Sequence, residues 1–358
     1  MKNTSPHVWP AEWERQAATW IAWPHNLETW PGRFEQIPQA FVKFIQTLSQ
    51  FQPVHVLSGP SSVKPEAEAF LSKEALAEAL PHRQPAAAHP IHIHQVPTND
   101  TWIRDYGPTF VRRRDDGSLV GIDWKYNAWG GKYPPFDDDA RAAEAICRTV
   151  GCTRSMSSVY CEGGGLETDG QGTLLTTSSC LLSPTRNPGW TRSMVEAELM
   201  RQLGTEKFIW VDGGGLAGDD TDGHIDQLAR FVAPGIVVAA TSSEASDSNR
   251  SGLAANVQVL RQSTAMDGTP LTVHPLPTPP PRMIDGKRVP ESYCNFLFAN
   301  ECVIVPTFRH EATDQAALRL LEQLLPHRKV IPLDAHDVIW GLGAWHCASQ
   351  QQPAAVVE

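Results

Sequence analysis

This sequence predicts an internally repeated α/β architecture, on two observations. The first is a recurring glycine passage. It appears as Glu162-Gly163-Gly164-Gly165-Leu166-Glu167-Thr168-Asp169-Gly170, again at 212–220, and more loosely as Gly341-Leu342-Gly343. The second is what accompanies the passages: strand-like apolar runs, with helical spacing between them over 190–203, 251–262 and 313–325. A turn, strand and helix used repeatedly is the mark of one structural unit copied along a chain. No low-complexity linker divides the 358 residues, so residues 1–358 read as a single catalytic domain.

The elements follow in order. Residues 18–23 are an apolar run stopped by Pro24 and predict a strand. Over 34–51, apolar residues at 37, 41, 44, 45 and 48 predict an amphipathic helix. A strand is expected at 54–57, an Ala/Glu/Leu-rich helix over 64–80 and a loop over 81–90. Residues 91–96 alternate as a strand, with His92 and His94 on one face. A polar loop over 99–108 then runs into a strand, and a further strand over 119–124 ends at Asn127-Ala128-Trp129-Gly130-Gly131. A helix is expected over 137–150, its acidic start suiting the helix dipole. Strands are expected at 173–177 and 224–232, a proline-rich loop over 275–281, and a hairpin from 293–301 and 302–306. Val338-Ile339-Trp340 is strand-like and leads into the last glycines.

Composition removes whole classes of function. The formal net charge is −10, against nucleic-acid binding, which wants a basic patch. No apolar run approaches the roughly 20 residues of a membrane span. The opening residues lack the apolar segment of a signal peptide. Seven cysteines, an odd number without a CxxC pair, read as reduced thiols of a cytoplasmic protein.

The chemistry starts at Cys347, a thiol close behind the last glycine turn. Glycine lets a backbone turn tightly or approach a ligand closely, so this thiol can be presented to a pocket. On a strand over 224–232, His224 and Asp226 would share a face. Asp105 follows Arg104 in an aromatic loop, and Glu162 opens a triple-glycine turn. The set is a nucleophile, a proton carrier and three carboxylates. Each member alone reads equally as an ordinary buried thiol, turn acid or solvated polar face. Together they suit a guanidinium, which carboxylates grip in bidentate fashion. Its delocalised charge makes the central carbon a poor electrophile, which calls for a thiolate and a two-step covalent route. A histidine can then protonate the leaving ammonia and activate water. A metal site built from His224, Asp226, His92 and His94 is the rival, with no HExxH-type spacing behind it.

Six motifs carry a resemblance. They are Pro10-Ala11-Glu12-Trp13-Glu14, Thr101-Trp102-Ile103-Arg104-Asp105-Tyr106-Gly107-Pro108, Glu162-Gly163-Gly164-Gly165, Gly223-His224-Ile225-Asp226, Tyr293-Cys294-Asn295-Phe296 and His346-Cys347-Ala348-Ser349-Gln350-Gln351-Gln352-Pro353. In this order the chain resembles the agmatine deiminase family, within the guanidine-modifying group that includes arginine and peptidylarginine deiminases. The resemblance implies a five-bladed α/β propeller of ββαβ-like units around a central site. It implies Cys347 as nucleophile, His224 as general acid/base, Asp105 and Asp226 as guanidinium carboxylates, and Glu162 beside the histidine or substrate. It further implies Trp102 as an aromatic wall, Asn295 as a support and Asp220 as a partner for the amine end of agmatine. No metal and no cofactor are implied. The partner is a small cationic guanidine, the setting putrescine (polyamine) metabolism, and the assembly a homodimer or higher homo-oligomer.

The chain departs from the commoner family form at Ala344-Trp345, just before the His-Cys pair, and at Glu167-Thr168-Asp169. Both would fall around the pocket and bear on substrate choice. The nearest alternative is the same chemistry on free or peptidyl arginine, with Arg104, Arg230 or Arg309 meeting the α-carboxylate of free arginine. A non-catalytic propeller-like binding protein is the alternative of another class.

Overall fold

Burial of one stripe fixes the first helix. Ile37, Phe41, Phe44, Ile45 and Leu48 are all buried, and the helix runs Ile37–Ser49 with Pro38 in its first turn, where a missing N–H costs nothing. The structure is a computed structural model and describes residues 5–72, 89–212 and 214–356.

The fold is mixed α/β. Among the described residues, five sheets of three or four strands share one plan: an antiparallel pair, then a parallel neighbour reached through a helix. One joins Thr109–Arg113 to Leu119–Lys125 antiparallel and then, past helix Asp139–Val150, to Thr153–Tyr160 in parallel. The plan recurs in Glu167–Thr168, Thr173–Thr176 and Lys207–Trp210. It recurs again in Ala229–Ala233, Ile236–Thr241 and Thr272–Pro277, and in Leu297–Ala299, Cys302–Thr307 and Lys329–Asp334. The remaining sheet takes its antiparallel pair from the two far parts of the chain. Ser349–Pro353 lies against Gln16–Ala22, which then pairs in parallel with Val54–Leu57. Parallel pairing needs a crossover, and the helices supply it.

Several expectations are corrected. The segment over 224–232 is not one strand: Ile225–Gln227 is a 3-10 turn, and the strand begins at Ala229. Val338–Gly341 is likewise a 3-10 turn, and Ile103–Tyr106 is a helical turn rather than a loop. Three of the residues assigned to a proline-rich loop belong to strand Thr272–Pro277. That strand is at a sheet edge, where proline's missing donor is tolerated. The second helix is described as Lys64–Phe70; residues 73–80, and most of the loop over 81–90, lie outside the described residues. Among the described residues no helix is long and apolar enough to cross a membrane.

Candidate active site

The turns between these strands carry the chemistry to one place. Glu162 precedes the glycine turn Gly163–Gly165, His224 and Asp226 flank and occupy the turn Ile225–Gln227, and Asn295 ends the turn Tyr293–Asn295. Glu162, His224, Asp226 and Asn295 are nearly or wholly buried, as are Asp105 and Cys347.

Cys347 Sγ lies 3.1 Å from Asn295 Nδ2 and 3.6 Å from Asp226 Oδ2. Asn295 Nδ2 also reaches Asp226 Oδ2, at 3.2 Å. Burial pushes the Cys347 thiol well above its ordinary pKa, and the charges of Asp226 and Asp105 push it further. Asp226 shows the opposite balance. Burial opposes its charge, but contact with His346 more than offsets this and lowers its pKa. Its Oδ1 has no hydrogen-bond partner among the described residues, nor has Nδ1 of His224. Buried polar atoms are normally satisfied, so these two mark where a ligand would bond.

Asp105 accepts from Gly164 N at 3.0 Å and Trp129 Nε1 at 2.9 Å. Burial raises its pKa to about 6; His224 works against the rise, while Asp226 and Glu162 add to it. Nδ1 of His224 stands 3.7 Å from Asp105 and Nε2 stands 3.4 Å from Glu162. Burial would lower the His224 pKa, but Asp105, Cys180 and Glu162 overcome it and raise it well above the usual histidine range. Glu162 receives Arg186 Nε on both oxygens, at 2.9 Å each. Burial opposes its ionisation, yet His224 and Arg186 bring its pKa down to about 2.

A cavity of about 1120 Å³ opens over this set. Trp102, Asp105, Asp220 and Cys347 line it, with Trp129, Tyr126 and residues 341–343. The last glycine turn packs on Trp102: a Cβ on Gly341 or Gly343 would lie 2.8 or 2.6 Å from that ring. Asp220 accepts from the Tyr133 hydroxyl. Trp129 is held in a left-handed turn, with φ of 50° at Ala128 and 56° at Trp129, and Asn127 Oδ1 accepts from Gly130 N across it. Such backbone is sparsely populated and persists where surroundings over-determine it; here it aims Trp129 at Asp105.

Several assignments fall elsewhere. Trp345 is fully buried against Phe44 and Phe41, so this departure belongs to the core and not to the pocket wall. Glu167 pairs with Arg230 at 2.8 Å, away from the cavity lining. Arg230 and Arg104 are buried in polar networks, and Arg309 pairs with Asp334 and Asp337 at the surface. None of the three lines the cavity; Lys132, Lys287 and Arg288 do. His92 and His94 contact His55, on their own sheet. Glu162, Cys180 and His224 bring three ligand-type atoms within 4.8 Å of one another. Arg186 holds both oxygens of that carboxylate, and a fixed guanidinium there opposes a metal cation.

Sequence reasoning missed Arg186, Trp129, His346 and Glu12. His346 stood beside Cys347 and Glu12 in an N-terminal motif, but nothing in their spacing joins them. Arg186 carries no signal in its proline-flanked loop.

Residues 8–353 match the family model of the Porphyromonas-type peptidyl-arginine deiminases. The agmatine deiminase of Stutzerimonas stutzeri (strain A1501) is 34% identical over 97% of this chain and 96% of that one. The solved agmatine deiminase of Enterococcus faecalis is 30% identical, with a TM-score of 0.85 over 98% of this chain and 97% of its own. A cysteine-to-serine variant of the C. jejuni agmatine deiminase, solved with substrate bound, is 26% identical with a TM-score of 0.84 over the same shares. With a matching fold and near-complete coverage on both sides, the chain belongs to the Porphyromonas-type peptidyl-arginine deiminase family, alongside the agmatine deiminases.

Proposed function

We propose that this protein hydrolyses agmatine to N-carbamoylputrescine and ammonia through a covalent intermediate on Cys347. One observation carries the reading: a buried thiol stands 3.6 Å from a carboxylate whose other oxygen has no partner among the described residues. A guanidinium offers the planar N–H donors that this oxygen lacks, and Asp105 lines the cavity from which it would be met. The acidic, aromatic wall with Asp220 and Trp102 suits an alkyl chain ending in an amine.

In this mechanism the guanidinium settles between Asp105 and Asp226. Its positive charge lowers the thiol pKa, and the Cys347 proton leaves to solvent. The thiolate forms a C–S bond to the central carbon. The adduct collapses by breaking a C–N bond, and His224, held cationic by Asp105 and Glu162, gives its proton to departing ammonia. The neutral imidazole then takes a proton from water, whose oxygen bonds to the thiouronium carbon. The C–S bond breaks as the adduct's hydroxyl gives its remaining proton to solvent, releasing the ureido product and the thiolate. The five sheets are read as blades of one propeller, in a single domain, with this site at its axis. The product would feed putrescine formation.

The size of the cavity, about 1120 Å³, favours keeping a peptide substrate as the second reading. One assay panel decides: agmatine, arginine and a blocked arginine peptide, each followed by ammonia and ureido product. Agmatine should be turned over best, and a Cys347→Ser protein should bind it without turnover. A preference for either arginine substrate, or full activity of the Ser variant, would overturn the proposal.

A further inference from the structure

Beneath the cavity a histidine stands between two acids. His346 Nδ1 lies 2.7 Å from Asp226 Oδ2, and Nε2 lies 2.9 Å from Glu12 Oε2. Both ring nitrogens therefore meet carboxylate oxygens. A neutral imidazole has one N–H, so one of these contacts would set a lone pair against a carboxylate; the imidazolium satisfies both. Glu12 is fixed in turn. Arg230 Nη2 donates to its Oε2 at 2.6 Å, and the backbone N–H of Phe298 donates to its Oε1 at 2.7 Å. The ring itself is 1% exposed, which strengthens its electrostatic effect on Asp226. The void bordered by Glu12, Arg104 and His346 is about 10 Å³, room for about one water.

The arrangement reaches the reacting groups through Asp226. Its Oδ2 takes the His346, Asn295 and Cys347 contacts, which leaves Oδ1 as the oxygen without a partner. We propose that His346 is a positioning residue: as an imidazolium bridged from Glu12, it turns Oδ2 of Asp226 inward and presents Oδ1 to the guanidinium. His346 touches no substrate; it acts through Asp226. This role rests on the deiminase reading above.

Three variants and one spectrum test it. In Glu12→Gln the bridge loses its outer charge. KM for agmatine should rise about tenfold or more with a smaller fall in kcat. His346→Asn keeps a side-chain N–H but no charge and should show the same split, whereas Glu12→Asp, which restores the charge, should recover most of the activity. A merely structural role would lower the melting temperature of all three without raising KM more than kcat falls. Nitrogen-15 NMR of the histidine rings, with His346 assigned by its absence from the Asn variant, reads the charge without any substrate. Two protonated ring nitrogens at neutral pH are expected in the wild-type protein. A neutral His346 ring overturns the proposal even if Glu12→Gln fails to fold. So does an unmoved KM in a folded Glu12→Gln or His346→Asn variant. A wild-type protein inactive on every guanidine would overturn the function while the spectrum still judged His346.

Discussion

Arg186 Nε lies 2.9 Å from each oxygen of Glu162, and both side chains are almost completely shielded from solvent. Nη1 of the same guanidinium reaches Asp222 at 2.6 Å, and Nη2 reaches the Thr221 carbonyl. One arginine thus joins the loop before the first glycine turn to the loop before His224. Removing it would strand a buried carboxylate, a loss of about 3–5 kcal/mol. Arg186→Ala should therefore fall steeply in melting temperature. Glu162 also predicts an acid lability. Its pKa falls from 4.5 to about 2 on folding, so its stabilisation is full above 4.5 and is lost as pH drops from there toward 2. Glu162→Gln should flatten the acid side of a chemical-denaturation stability profile; an unchanged profile would remove the carboxylate from that account.

Asp105 predicts an acid limb in catalysis. In the proposed mechanism its anion grips the guanidinium, and it takes up a proton as pH falls through about 6. In the free enzyme kcat/KM should decline below that pH. Asp105→Asn should lose activity by a factor of at least about 100, since a transition-state contact is worth several kcal/mol. Steady-state kinetics from pH 5 to 9 would check both; full activity at pH 5 would contradict the assignment.

Gly164 predicts a steric off-switch. A Cβ there would come within 2.7 Å of His224 Nδ1, 2.8 Å of Asp105 Oδ1 and 3.1 Å of Asp226 Oδ2. Gly164→Ala should abolish turnover by pushing these groups apart. The measurement pairs ammonia release with circular dichroism, since the alanine variant is expected to keep the fold. Activity near the wild-type level would mean that the three groups are not set by this turn.

Trp345 predicts the reverse separation. Its ring packs on Phe44, 4.7 Å between centroids, and its Nε1 donates to the Leu333 carbonyl. Trp345→Phe should lower stability by about 1–3 kcal/mol through lost volume and a lost hydrogen bond. Relative kcat/KM values for agmatine and arginine should stay within about threefold, below the ~1 kcal/mol that one altered pocket contact is worth. A switch in preference would return Trp345 to the pocket.

Periodicity made the helices legible, because apolar residues recur where one face is buried, as over Ile37–Ser49. It failed where backbone geometry is local. His224 and Asp226 do reach one site, but from a 3-10 turn rather than from adjacent positions on a strand face. The left-handed turn at Ala128 and Trp129 has no sequence signature, since neither residue favours positive φ. Glu162 and His224 reach the site because each sits at a turn next to a glycine, and Asn295 because its turn ends next to Phe296. Arg186 and Glu12 stayed hidden because long-range ion pairs leave no spacing to read. Glu12 Oε2 and His346 Nε2 are 334 positions apart in sequence and 2.9 Å apart in space.

The pairing of Ser349–Pro353 with Gln16–Ala22 also sets an order of events during synthesis. A nascent chain emerging from the ribosome carries Glu12, Asp105, Glu162, His224 and Asp226 long before it has Cys347. The strand that anchors that cysteine is complete at 353. Until that strand is released and docks beside one made near the start, the growing polypeptide holds the charged groups without the thiol of Cys347 among them. On the proposed mechanism folding arms the chemistry last, and a ribosome stalled short of residue 347 makes an inert product.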